Sequence, residues 1–65
     1  MITLFSIVKS TRPIGSIPAE TKGTVVFEYG KGDISNQKGF EVEFFDDNNN
    51  TIAVSTVYEN QIVER

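Results

Sequence analysis

An all-β fold is what this sequence predicts, on three observations. Apolar residues nowhere recur at helical spacing over a useful length. Short runs rich in β-branched and aromatic residues recur instead, cut by Gly, Pro, Asn and Asp. Phe40-Glu41-Val42-Glu43-Phe44 alternates strictly, three apolar side chains against two carboxylates, as a half-buried antiparallel strand does.

The elements follow in order. Leu4 to Lys9 reads as a first strand. Ser10 to Lys22 holds both prolines, Pro13 and Pro18, and Gly15. Proline has a fixed φ and no ladder N–H, so this segment is a long irregular connection rather than a central strand. Ile14 and Ile17 are its expected anchors on the core. Gly23 opens a second strand, Thr24 to Tyr29, which Gly30-Lys31-Gly32-Asp33 ends. The connection runs on through Ile34 to Lys38 and reads as a mobile loop. Phe40 to Phe44 is the third strand. Asp46-Asp47-Asn48-Asn49-Asn50 is a turn, since Asn and Asp tolerate left-handed φ and bond their own backbone. Thr51 to Val57 returns as the fourth strand, Tyr58 to Gln61 makes a short 3₁₀ turn, and Ile62-Val63 closes beside the first strand. Val25, Phe27, Phe40, Val42 and Phe44 are expected to face inward. Phe45 follows Phe44 directly and cannot share its face in a regular strand. Either a bulge turns it inward or it stands as an apolar spot beside the acids. One strand, a long loop, a three-strand meander, a one-turn helix and a last short strand make the plan of an SH3-like barrel. Curling five strands this way also removes open edges.

Sixty-five residues make one small domain, which buries only about 60% of the surface its unfolded chain exposes. The chain has no cysteine and no histidine, which excludes disulfides and a Cys/His zinc site. A cysteine-free chain fits a reducing cytosol. No basic region precedes the apolar run Ile2 to Val8 and no small-residue cleavage site follows it, so no signal peptide is read. No segment approaches the ~20 apolar residues of a membrane span. The expected location is cytoplasmic, with no membrane contact.

Charge divides unevenly. Residues 1–38 carry five basic and three acidic groups, a net of +2, whereas residues 39–65 carry six acidic groups against Arg65, a net of −5. Phosphate-backbone binding takes a basic patch, because affinity comes from counterion release. An acidic chain with scattered lysines is poorly suited to it, and a cationic partner suits the second half better. The same acids would equally serve only to keep a small barrel soluble.

Lys22-Gly23-Thr24-Val25-Val26, then Phe40 through Asp46, then Thr51 through Val57 resemble a bacterial domain-of-unknown-function family, number 4926. Its pattern runs GTVV, then YEVEF-D, then a strand ending in TV or TL. Ile7-Val8, Pro13, Gly15 and Ile17-Pro18-Ala19 fit as well, so the resemblance spans nearly the whole chain. The motifs are specific as a set and weak singly, since Gly-Thr-Val-Val also recurs in KOW and other SH3-like barrels. The loop from Gly30 to Gly39 is longer than the family's usual turn, and there the chain departs from the pattern. The resemblance implies an SH3-like barrel and no established activity. Relatives are small stand-alone proteins, some beside bacterial toxin genes, which implies an immunity or antitoxin role. Fold alone does not decide function.

Catalysis needs a nucleophile beside a base, or paired acids in a pocket. The commonest base and the best nucleophile are missing, and Asp46 and Asp47 adjoin on a turn rather than converge. No enzyme activity and no cofactor are expected. A calcium loop starting at Asp46 would want Gly and Glu where Thr51 and Val57 stand; starting at Asp47 it meets Ile52 and Tyr58. Gly30-Lys31-Gly32 lacks phosphate-loop spacing.

What remains is a surface. Glu41 and Glu43 project from one face of a strand, and with Asp46, Asp47 and Glu59 they are the candidate acidic patch for a basic partner. Tyr58 joins them as an amphipathic ring suited to interfaces, as does Tyr29. The expected function is protein–protein binding by an immunity or antitoxin protein that masks a basic toxin. The rivals are an accessory barrel in a larger assembly or homo-oligomer, and a KOW-like RNA-binding module using Lys9, Arg12 and Lys22.

Overall fold

The computed structural model describes residues 1–30 and 37–65. The expectations for the 30–39 connection therefore lie largely outside the described residues. Five strands form: β1 (Ile7–Ser10), β2 (Lys22–Glu28), β3 (Gly39–Phe45), β4 (Thr51–Tyr58) and β5 (Ile62–Glu64), with a 3₁₀ turn at Glu59–Gln61 just before β5. All pair antiparallel in one sheet of order β4-β3-β2-β1-β5. This is the SH3-like barrel plan, with β5 beside β1 as expected, but among the described residues β4 and β5 do not pair, so the sheet keeps two edges where none was expected.

β1 starts three residues later than the composition suggests. Phe5 takes a positive φ of 69°, and the turn is closed by Ser6 N–H donating to the Thr3 carbonyl and Thr3 N–H donating to Ser6 Oγ. Leu4 and Phe5 therefore sit on a turn and stay exposed. A run of apolar residues has no period that distinguishes a strand from a turn entering one.

Alternation places the core. Val8, Gly23, Phe44 and Ala53 lie in one cross-strand row, Val25, Val42 and Ser55 in the next, and Phe40 opposite Val57 beyond them. Val8, Val25, Phe40, Val42, Phe44 and Val57 are buried, joined by Ile62 from β5 and Ile17 from the long connection. Ile14 packs against this cluster and forms a two-way backbone bridge with Ile17. The two isoleucines thus anchor the connection as the sequence implies.

Phe27 does not face inward. It is 52% exposed, because the register shifts between Val25 and Phe27, so that Val25 opposes Val42 while Phe27 opposes Glu41. A bulge inserts one residue and reverses the facing of everything beyond it. A second register shift separates Phe44 from Phe45. It leaves Phe45 half-buried, lining a cleft with Ile7, Lys22 and Thr24 on the outer side of the sheet. The extra residue is Ile52 on β4, so β3 itself keeps its alternation, and Phe45 stays on the outer side instead of being turned inward by a bulge.

Ser10 is the one buried polar residue among those described. Its hydroxyl donates to the Pro18 carbonyl at 2.9 Å and accepts from Thr21 N–H at 3.0 Å, closing the base of the long connection. Ser10→Ala leaves the Thr21 donor without that acceptor, a loss of about 1–3 kcal/mol. The urea midpoint should fall accordingly; an unchanged midpoint would mean the hydroxyl is dispensable.

Candidate protein-binding face of the sheet

The side of the sheet away from the core carries the candidate site. One cross-strand row there is Ile7, Thr24, Glu43 and Val54. The next is Phe27, Glu41 and Thr56, with Val26 beside Phe27 in the bulge. Ile7, Val26, Phe27 and Val54 are all exposed, so two carboxylates stand in an apolar surround.

Both carboxylates are held. Glu41 Oε2 accepts from Tyr29 Oη at 2.6 Å and from Thr56 Oγ1. Glu43 Oε2 accepts from Thr51 Oγ1. Tyr29 in turn meets the Phe27 ring edge to face, with centroids 4.9 Å apart. Donating to Glu41 pushes the Tyr29 phenol above its ordinary pKa, because the phenolate would lose that bond and face a carboxylate. Phe27, Tyr29 and Glu41 therefore form one braced group, and a pre-arranged surface loses less freedom on binding.

The other sequence-predicted residues are spread along the β3–β4 hairpin. Asp46 works within the turn: its carboxylate accepts from the backbone N–H of Asn48 and of Asn50, each at 2.9 Å, and Asn49 there has φ of 65°. The Asn50 N–H chiefly holds its pKa below the usual carboxylate range. Asp47 is exposed at the turn tip. Tyr58 and Glu59 sit at the opposite end of the hairpin, where Tyr58 opposes Gly39 and Glu59 N–H donates to the Lys38 carbonyl. Seven-residue β3 separates the two ends by about 20 Å. The structure brings Glu41 and Glu43 together, and leaves Asp47 and Glu59 to flank them from far ends.

Sequence reasoning missed the apolar partners of these acids. Val54 looks like a core residue, yet it is exposed opposite Glu43, while the smaller Ala53 and Ser55 stand opposite buried Phe44 and Val42. Counting back by twos from buried Val57 would have found the phase.

Among the described residues, three basic side chains of the first half are engaged. Lys9 pairs with Glu20 at 2.9 Å and Lys38 with Glu28 at 3.0 Å, while Arg12 donates to the Asn60 carbonyl. The Lys38 contact, then the Leu4 N–H, lowers the Glu28 pKa. Among the described residues no group of three or more acidic side chains converges as a metal site would require, and no helix is long and apolar enough to cross a membrane.

These shifts give a pH profile for stability. Glu28 and Asp46 are lowered on folding, so what they contribute is full above the unfolded carboxylate values of about 4.3 and 3.9 and is lost as pH falls through the folded values. Tyr29 is raised, so its contribution is full below the unfolded phenol value of about 10 and is lost as pH climbs through the folded one. Melting temperature should hold between roughly pH 5 and pH 9 and fall on both sides. A melting temperature that rose on acidification below that plateau would contradict the assignment.

A family described as a domain of unknown function, DUF4926, matches residues 4–64. The chain belongs to this family. The DUF4926 match runs from the turn before β1 to the last residue of β5, so it covers every strand described above. No curated protein and no solved structure matches the chain.

Proposed function

We propose that this DUF4926 chain is a protein-binding module without enzyme activity, working in the cytoplasm, and that its partner docks on the outer face of β2, β3 and β4. The observation carrying this is the composition of that face: exposed Ile7, Val26, Phe27 and Val54 around two carboxylates already held by hydroxyls. Scattered exposed apolar residues are ordinary, but apolar side chains on adjoining strands around fixed polar groups have the make-up of an interface. The partner it fits presents an apolar surface with Lys or Arg set to meet Glu41 and Glu43. Masking of a basic bacterial toxin, the role implied by the family resemblance, is the form of this reading we favour.

An RNA-binding role has less support. Of the cations that would serve it, Lys9 is paired with Glu20 and Arg12 is turned onto the Asn60 carbonyl, and the chain's net charge of −3 opposes gathering phosphates.

The test is co-expression of the adjacent gene's product with wild type or Glu41→Lys/Glu43→Lys, followed by pull-down at several salt concentrations and a growth assay. Wild type should capture the product and protect growth. The charge reversal should weaken capture, and the difference should shrink with salt as screening grows. Equal capture and protection by the folded double variant would discard the acidic contribution. No complex with the wild type would discard the immunity reading.

A further inference from the structure

The two edges of the sheet are built differently. β5 is three residues long and carries a charge, Glu64, which pairs with the N-terminal ammonium at 2.7 Å. β4 is eight residues long, Thr-Ile-Ala-Val-Ser-Thr-Val-Tyr, with no charge, no proline and no glycine. Among the described residues no strand pairs with its far side. Long edge strands are ordinarily blunted by lysine, proline or a central bulge, because their free N–H and C=O groups template further pairing. The irregularity in β4 falls at Ile52, the residue skipped between the partners of Phe44 and Phe45, and leaves Ala53 to Tyr58 regular.

We propose that β4 pairs antiparallel with β4 of a second copy of this chain, about a two-fold axis at Val54. The occupant follows from the strand's own composition. A two-fold axis perpendicular to the sheet keeps outer face beside outer face, so only registers that oppose residues of like facing are allowed. The register centred on Val54 sets Val54 against its copy on the outer face and Ala53 against Ser55 on the inner, with the irregular Ile52 meeting Thr56 at each end of the ladder. It opposes the most exposed side chain of β4, Val54 at 58%, to another valine. No charge on this edge selects a different partner or repels a copy. The nearest carboxylates, Glu43 of each copy, lie one strand back on either side. Three strand spacings, about 14 Å, then separate them, beyond the ~8 Å screening length. An edge pairing of this length falls in the small class of interfaces, below ~1,200 Å² in total, so association is weak and concentration-dependent. Pairing also doubles the outer face, setting two copies of the proposed docking surface side by side.

The test uses the isolated full chain without any partner, so its outcome is independent of the docking proposal. Sedimentation from about ten micromolar to about one millimolar should show a monomer–dimer equilibrium. Val54→Lys sets like charges together at the axis and should weaken the dimer at least about tenfold while the melting temperature holds. The chain has no native cysteine, so single cysteines read the register. Val54→Cys should form a disulfide-linked dimer on oxidation, since directly opposed strand residues lie about 4.5–5.5 Å apart. Ile52→Cys should not, because the two copies of that position would be about 14 Å apart. A monomer throughout the series, a dimer indifferent to Val54→Lys, or equal cross-linking at both positions would each overturn the proposal.

Discussion

Phe44→Ala should remove a large share of the domain's stability, whereas Phe27→Ala should leave the melting temperature nearly unchanged. Both residues are phenylalanines on neighbouring strands, yet Phe44 has no exposed surface and Phe27 is half exposed. Truncating a buried Phe removes its transfer free energy and leaves a cavity, together about 3–5 kcal/mol. A domain of this size has about 3–10 kcal/mol in all. Phe44 also lies centrally, between Gly23 on β2 and Ala53 on β4, where small neighbours cannot spread to refill the space. Denaturant titration of the two variants separates them. Similar losses would mean that the β2 bulge is misplaced and that Phe27 belongs to the core.

Gly23→Val should be nearly as damaging, for the opposite reason. A Cβ at Gly23 would lie 2.6 Å from Val42 Cγ1 and 2.9 Å from the Glu43 carbonyl oxygen. A side chain can shift, but the carbonyl belongs to the β2–β3 ladder and moves only with the strand. Overpacking of this kind costs about 1–3 kcal/mol, occasionally more, and a branched side chain in the row of Val8, Phe44 and Ala53 should reach the upper end. Gly23→Ala should fall between the glycine and valine forms. A valine variant as stable as wild type would show that β2 and β3 are not so closely apposed.

The strong local patterns were legible in the sequence, and the departures from regularity were not. Phe40 to Phe44 alternates without interruption, so its facing followed from period two alone. Pro13 and Pro18 excluded a central strand, and Asp46 to Asn50 announced the hairpin turn. The bulge at Val26 had no such marker. Val25-Val26-Phe27 contains no glycine or proline, and a bulge there is decided by how β2 meets β3, a pairing some fifteen residues distant in sequence. That single inserted residue moves Phe27 from the core to the surface and creates much of the candidate site. Glu41 and Glu43 were identifiable as outward acids, but their bracing was not, because it comes from Tyr29, Thr51 and Thr56 on neighbouring segments. Asp46 shows the reverse: its residue type announced both a turn former and a surface acid, and the geometry commits its carboxylate to the turn.

The docking face itself is tested most directly by titrating the purified product of the adjacent gene into wild type and into Phe27→Ala. Phe27 is exposed, carries little of the fold, and stands beside Glu41 in the proposed interface, so its removal probes the face without disturbing the barrel. The variant is expected to melt with the wild type and to bind about tenfold or more weakly, as loss of an aromatic anchor does. Equal affinity for both proteins, with a complex formed in each case, would place the partner on another surface and contradict the assignment of the outer sheet face.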